Sequence, residues 1–238
     1  MLDFSDIERV LVVTAHPDDV DFGAAGTVAN LTDAGVEVVY CLVTDGQAGG
    51  FDRTIPRSEM AAIRREEQTK AAAEVGVTRL YFLGHTDGAV VADMALREDI
   101  SMVIREVRPQ VVITQSPLRN LDSTYGSHPD HLATGEATMC AVYPDARNPF
   151  AFGGSRCAEL EDWAVDEMWV MLAVGAQDAV DITAQLDRKI RALRCHASQH
   201  RDPDGLEERV RAWWQQLAAD RGMPAGTSVE VFRVVDTR

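Results

Sequence analysis

The sequence holds only four cysteines in 238 residues, Cys41, Cys140, Cys157 and Cys195, and they are too far apart to form a Cys-x-x-Cys pair. They read as reduced thiols of a cytoplasmic protein, with Cys41 a small core residue in an apolar strand. Positive charge is scarce as well: 23 Lys and Arg against 38 Asp and Glu leave a formal charge of −15. Such an acidic surface repels phosphate backbones and anionic lipid, so neither nucleic acid nor a membrane surface is an expected partner. No apolar run approaches the ~20 residues of a bilayer span, which predicts no membrane insertion. The opening residues "MLDFSDIERV" lack the basic start and apolar run of a secretory signal. The glycine-rich dinucleotide fingerprint is also missing. Gly23 and Gly26 give only a sparse Gly-x-x-Gly, which reads as close helix–sheet packing.

What is present is a series of apolar, β-branched runs of strand length: "RVLVVTA", "VEVVYCLVT", "RLYFLG", "QVVITQS" and "EMWVMLAV". Helical patterns separate them, over 26–34, 58–75 and 92–107. In the last, Leu96, Ile100, Val103, Ile104 and Val107 form one apolar face. Two further helices are predicted over 184–196 and 206–221. Strands that are apolar throughout, alternating with helices, predict an α/β fold: a single Rossmann-like domain over 1–238 with a mainly parallel sheet flanked by helices. The closing "SVEVFRVV" reads as an edge strand, and the Pro- and Gly-bearing stretch 143–163 as a structured surface loop.

Ligands of open parallel sheets bind outside the carboxyl ends of the strands. The polar residues there are His16, Asp18 and Asp19 after the first strand, Asp45 after the second, His85 and Asp87 after the third, and 116–131 after the fourth. Two of these stretches share a triplet. "AHPDD" holds His16-Pro17-Asp18, and "SHPDH" holds His128-Pro129-Asp130 with His131 beside it. Pro129 suits a first helical turn, where its missing N–H is not needed. Taken alone, a histidine at a strand end is usually just hydrogen-bonded, and an aspartate before a helix is usually a cap. Two such triplets on one rim of a sheet make a different case.

A catalytic zinc site needs three nitrogen, oxygen or sulfur ligands and one open position. His16 and Asp19, three apart across a proline turn, with His131 from the second motif, supply two imidazoles and a carboxylate. Asp18 is then free to serve as general base for water activated at the metal. The same set admits ferrous iron, but zinc suits hydrolysis better.

"AHPDD" with "GAAGT", and "SHPDH" about a hundred residues on, resemble the PIG-L/LmbE-like family of zinc-dependent N-deacetylases. Weaker blocks follow in family order: "IRREEQTKAAAEVGV", "LGHTDG", "KIRALRCHASQ" and "VEVFR". The resemblance implies His16, Asp19 and His131 as metal ligands and Asp18 as general base. It implies His128 as the group that stabilises the oxyanion, as an imidazolium oriented by Asp130. It also gives Arg64 and Asp87 to substrate hydroxyls. The implied reaction is hydrolysis of the acetamide of an amino sugar, with an N-acetylglucosamine-containing glycoconjugate as the small-molecule partner.

The chain departs from the family pattern in three places. Val20 stands where many members have Glu, and "EVGV" replaces "LGV". Tyr125 lies three residues before His128 rather than two. Two rival readings remain. One is an amidase acting on a larger conjugate, distinguished by the loops 51–57 and 143–162. The other is a non-catalytic metal- or nucleotide-binding module. Arg119, Asn120 and Asp122 are candidate pocket residues, and Trp213-Trp214 a candidate platform for a sugar ring. The residues do not set the oligomeric state, and a homo-oligomer is compatible with them.

Overall fold

Strands that are apolar on both sides need helices on both faces, and this chain provides them. The computed structural model describes residues 4–122, 124 and 126–238. Seven strands form one sheet: β1 (Arg9–Thr14), β2 (Glu37–Thr44), β3 (Arg79–His85), β4 (Val111–Gln115), β5 (Glu167–Met171), β6 (Asp178–Asp181) and β7 (Val229–Asp236). Their order is β3-β2-β1-β4-β5-β7-β6. β1 to β5 pair in parallel, and β7 runs antiparallel to both β5 and β6. The helices are α1 (Asp19–Gly23), α2 (Ala25–Asp33), α3 (Arg57–Glu74), α4 (Met94–Val107), α5 (Pro129–Cys140), α6 (Leu186–Arg194) and α7 (Pro203–Ala219).

Alternate residues of each strand enter opposite cores, as the two-residue strand period requires. Val10 and Val12 of β1 face the layer holding Val28, Ala71, Leu193 and Trp214. Leu11 and Val13 face the layer holding Leu96, Ile100, Ile104 and Ala137. The apolar stripe predicted on α4 is therefore real, and all five of its residues are buried.

Two features differ from the sequence reading. β7 is an inner strand, because the acidic four-residue β6, too short to stand out in the sequence, covers its outer side. A short helix that the sequence reading did not include, α1, also precedes α2, which matches the helix predicted over 26–34. Gly26 is needed where α2 meets the sheet, since a Cβ there would lie 2.7 Å from Ile182 Cβ.

The chain winds outward from β1 through β2 to β3, then crosses back to β4 and β5. The order thus reverses at β1 and β4, where the following segments leave for opposite faces and open a crevice. Gln115, the last residue of β4, ties the two ends together by accepting the Ala15 N–H at 2.8 Å. His16 follows β1 at this crevice, and the segment after β4 leads into the second His-Pro-Asp motif.

A buried ion pair closes the other side of the sheet. Lys189 Nζ lies 2.6 Å from Glu230 Oε1, with neither side chain exposed, and donates to Phe22 O at 2.6 Å. Glu230 accepts the Gly26 and Thr27 N–H groups at 2.9 and 2.7 Å, so its charge sits at the positive end of α2. Burial lowers the Lys189 ammonium, and the Glu230 carboxylate opposes that shift.

Candidate active site

His16 is the centre of the cluster. Its Nδ1 lies 3.3 Å from Asp19 Oδ2 and 3.3 Å from His131 Nε2, and His131 Nε2 lies 3.0 Å from Asp19 Oδ1. Its Nε2 turns the other way, to Asp87 Oδ1 at 3.1 Å and Asp130 Oδ2 at 3.2 Å. Two carboxylates thus face Nε2, while Nδ1 is directed at Asp19 and His131. Carboxylates commonly orient metal-binding imidazoles in this way.

Neighbouring donors of a tetrahedral site with bonds of ~2.0–2.1 Å stand roughly 3.3–3.4 Å apart. The spacing of the three donors fits such a site. The electrostatics fit too. Burial alone would lower the His16 imidazole, yet Asp19, Asp130 and Asp87 push it up to about 12. Burial would raise the Asp19 carboxyl, but His131 and His16 hold it well below the usual range. Four carboxylates, those of Asp18, Asp19, Asp87 and Asp130, surround this point, and a divalent cation would compensate them.

Asp18 is held apart from the donor set. It occupies the position before α1 with φ 94°, a left-handed conformation unusual for a residue with a Cβ. Gln68 Oε1 accepts its N–H at 2.8 Å, and Arg64 Nη2 lies 3.1 Å from its Oδ2. Burial pushes the Asp18 carboxyl up to about 6, against the lowering effect of Arg64. Gln68 in turn donates to Asp21 Oδ2 at 2.9 Å, which His196 Nε2 also approaches at 2.8 Å. His196 is thus a buried support of the loop.

The second motif folds as its sequence suggests, with Pro129 opening α5. His128 precedes it, and its Nδ1 accepts the Asp130 N–H at 3.1 Å. That bond leaves Nε2 as the position for the ring proton. Burial lowers the His128 pKa, and the charge on His16 adds to the effect. The contact between the two differs from the expected carboxylate–imidazole pair: Asp130 meets His128 through its backbone N–H, and burial disfavours the imidazolium expected of His128. The Asp130 carboxylate is committed to His16, to Gly88 N at 2.7 Å and to Val90 N at 3.3 Å.

Arg64 and Asp87 also have internal partners where substrate hydroxyls were expected. The Arg64 guanidinium is buried and donates to Gly46 O at 3.0 Å and to Pro17 O. Gly46 has φ +64°, and a Cβ there would lie 2.2 Å from Arg64 Nη1, so the turn after β2 needs glycine on both counts. Asp87 Oδ2 accepts the Ala48 N–H at 2.8 Å while its Oδ1 faces His16.

The cluster lies in a cleft of about 1020 Å³. Asn120 lines it, whereas Arg119 and Asp122 do not; Tyr125 lies outside the described residues. The segments 51–57 and 143–162, expected to face substrate, are also absent from its described walls. The second is drawn away because Arg105, buried on α4, donates to the carbonyls of Ala146, Cys157, Asp145 and Asn148. The walls come instead from 171–176, from His200 and from α7, including Trp213. Sequence reasoning missed Gln68, although it lies four residues after Arg64 on one helix face. His85 pairs with Asp99 at 2.8 Å and stays outside the cluster. Asp45 accepts from Arg65 at 2.8 and 2.9 Å, while Ala48 and Gly49 of the same loop line the cleft.

Comparison with known proteins gives the family of the chain. The PIG-L family model, described as GlcNAc-PI de-N-acetylase, matches residues 11–142. The chain is 31% identical to a diacetylchitobiose deacetylase of Thermococcus kodakarensis over 94% of this chain and 81% of that protein. It is 33% identical to a probable N-acetyl-alpha-D-glucosaminyl L-malate deacetylase 2 of Bacillus cereus, over 80% of this chain and 83% of the other. Among solved structures, N,N'-diacetylchitobiose deacetylase from Pyrococcus horikoshii superimposes with a TM-score of 0.89 at 30% identity, covering 98% of this chain and 86% of that one. The match covers both His-Pro-Asp motifs and more than half of the chain, which is therefore a member of the PIG-L family.

Proposed function

We propose that the protein is a metal-dependent deacetylase that removes the acetyl group from an N-acetylglucosamine-containing glycoconjugate. The observation that carries this reading is the convergence of His16 Nδ1, Asp19 and His131 Nε2 beside the buried Asp18, at the head of the cleft. The names of the relatives support the amino-sugar substrate. Four free thiols support a reducing, cytoplasmic setting.

His16, Asp19 and His131 would hold zinc, or ferrous iron as the alternative. When bound, such a dication supplies Lewis-acid polarisation and activates water. Asp87 and Asp130 keep His16 in the Nε2–H tautomer, so that its Nδ1 is available as a ligand. Asp18 takes the proton of the attacking water as the oxygen adds to the amide carbon. With a carboxyl near 6 it is mostly ionised at neutral pH, yet basic enough to accept that proton. His128 donates from Nε2 to the carbonyl oxygen as negative charge develops there. The C–N bond then breaks, Asp18 returns its proton to the departing nitrogen, and acetate and a free amine leave.

The test is amine release from N-acetylglucosamine and its glycosides by zinc-loaded protein, beside Asp18→Asn at equal metal content. Turnover by the parent and a roughly 10²–10⁴-fold loss in the variant are expected. Equal rates in the two proteins would overturn the role of Asp18. No release from any substrate would overturn the deacetylase reading.

A further inference from the structure

The block "KIRALRCHASQ" contributes no atom to the reaction proposed above, although His196, Ser198 and Gln199 at its end all reach segments around the site. His196 follows α6 and is fully buried. Its Nε2 lies 2.8 Å from Asp21 Oδ2, and its Nδ1 has no hydrogen-bond partner among the described residues. A buried imidazole with one nitrogen unpaired is a costly way to fill space, and an apolar side chain would fill it better. The value of this ring lies in its one polar bond.

Asp21 Oδ2 accepts from His196 Nε2 and from Gln68 Nε2 together. The Gln68 amide cannot turn without losing two bonds, because Nε2 donates to Asp21 at 2.9 Å while Oε1 accepts the Asp18 N–H at 2.8 Å. The chain His196–Asp21–Gln68 thus ends on the backbone of a residue held at φ 94°. Its three members are all fully buried, so water does not compete for their bonds.

The turn that carries His196 is itself fastened. Ser198 donates twice to Glu67, from N–H to Oε1 and from Oγ to Oε2, each at 2.7 Å. Glu67 adjoins Gln68 on α3, so the turn and α3 are locked together beside the chain. Gln199 Oε1 accepts the Gly50 N–H at 3.2 Å and ties down the loop after β2. A ring mounted in this way imposes its position on Asp21 rather than adapting to it.

We infer that His196 is a positioning residue for the deacetylation, holding Asp18 in its left-handed turn through the Asp21 carboxylate and the Gln68 amide. It acts without touching substrate or the three metal donors. This rests on the reading above, which makes Asp18 the base.

The experiment compares zinc-loaded parent, His196→Gln, His196→Asn, Gln68→Leu and the double variant His196→Asn/Gln68→Leu on glycosides of N-acetylglucosamine. Glutamine can set an amide N–H where Nε2 stands, whereas the shorter asparagine does not reach Asp21. His196→Asn should lower kcat roughly tenfold, with KM and bound metal within about twofold of the parent. His196→Gln should recover most of that loss. Both residues act through one chain, so the double variant should stay within about twofold of Gln68→Leu alone. Parent-like kcat in His196→Asn, no rescue by glutamine, or losses that multiply in the double variant would overturn the assignment. Hydrogen exchange at the Asp18 amide reads the chain without turnover: it should quicken roughly tenfold in His196→Asn and stay near the parent rate in His196→Gln. If the parent released no amine from any glycoside, the deacetylase reading would fail. Equal protection of the Asp18 amide in all three proteins would separately overturn the chain. Should His196→Asn not fold, His196→Met fills a similar volume without a donor and carries the same expectations.

Discussion

The Asp18 N–H donates to Gln68 Oε1 at 2.8 Å, and this bond helps hold the proposed general base at φ 94°. A left-handed residue with a Cβ costs about 1–3 kcal/mol and persists only where its surroundings impose it. Gln68→Leu removes the acceptor for Asp18 and a donor to Asp21. We expect kcat to fall roughly 10- to 100-fold with KM and metal content nearly unchanged, because the base is misaligned while the donor set stays in place. Unfolding should become easier by about 1–3 kcal/mol from the unpaired buried groups. Unchanged kcat in a correctly loaded variant would show that Asp18 does not depend on Gln68.

Arg64 opposes the burial that pushes the Asp18 carboxyl up to about 6. Activity requires the ionised carboxylate, so it should be lost as pH falls through that pKa. A bound dication adds positive charge and moves this acid limb below 6. Arg64→Met removes one opposing charge and should move the limb to higher pH, with Arg64→Lys falling between variant and parent. A kcat/KM profile from pH 4.5 to 9 measures this. A limb that does not move would assign it to another group.

His128 has two separable jobs in the proposed mechanism: its Nδ1 caps α5, and its Nε2 would donate to the developing oxyanion. Asparagine is a good helix cap but a shorter donor. His128→Asn should therefore keep the melting temperature near that of the parent while kcat drops about 10²–10³-fold. His128→Ala should lose the same activity and also about 1 kcal/mol of stability. Full activity in the Asn variant would rule His128 out as the oxyanion donor.

Asp87 contacts His16 Nε2 and the Ala48 N–H. Asp87→Asn should therefore weaken metal binding about 10- to 100-fold, as loss of a ligand-orienting carboxylate usually does. Once metal is saturating, KM for the sugar should stay close to the parent value. Competition with a chelator measures the first effect and steady-state kinetics the second. A raised KM at normal metal affinity would instead give Asp87 to the substrate.

That His16, Asp19 and His131 come together was legible because each motif is local and the strand order puts both on one rim of the sheet. His16 and Asp19 flank one proline turn, and His128 and His131 flank the start of one helix, so local spacing and strand order sufficed. The partners of those residues were not legible. Whether Asp130 meets His128 or His16 depends on how the loop after β3 approaches α5, and no periodicity records that. Arg64 and Gln68 share a helix face, but what the face touches depends on the packing of α3 against the loop after β1. β6 was missed because four residues with an aspartate at each end carry no strand pattern. The placement of 143–162 was misjudged because the arginine that holds it sits on α4.

The Lys189–Glu230 pair also has a consequence for how the protein can be made. Glu230 supplies the acceptor for Gly26 N–H across 204 residues of chain, and His196 reaches Asp21 across 175. Residues 16–27 leave the ribosome early and find Arg64 and Gln68 on α3, but Lys189, His196 and Glu230 emerge only after all five parallel strands have been translated. Until then the acidic turn lacks the bond from His196 to Asp21, and the start of α2 lacks Glu230. Vectorial synthesis therefore delivers the chemistry first and its scaffold last. A chimera that exchanges the second half of the chain would have to carry Lys189, His196 and Glu230 with it to keep the first half working.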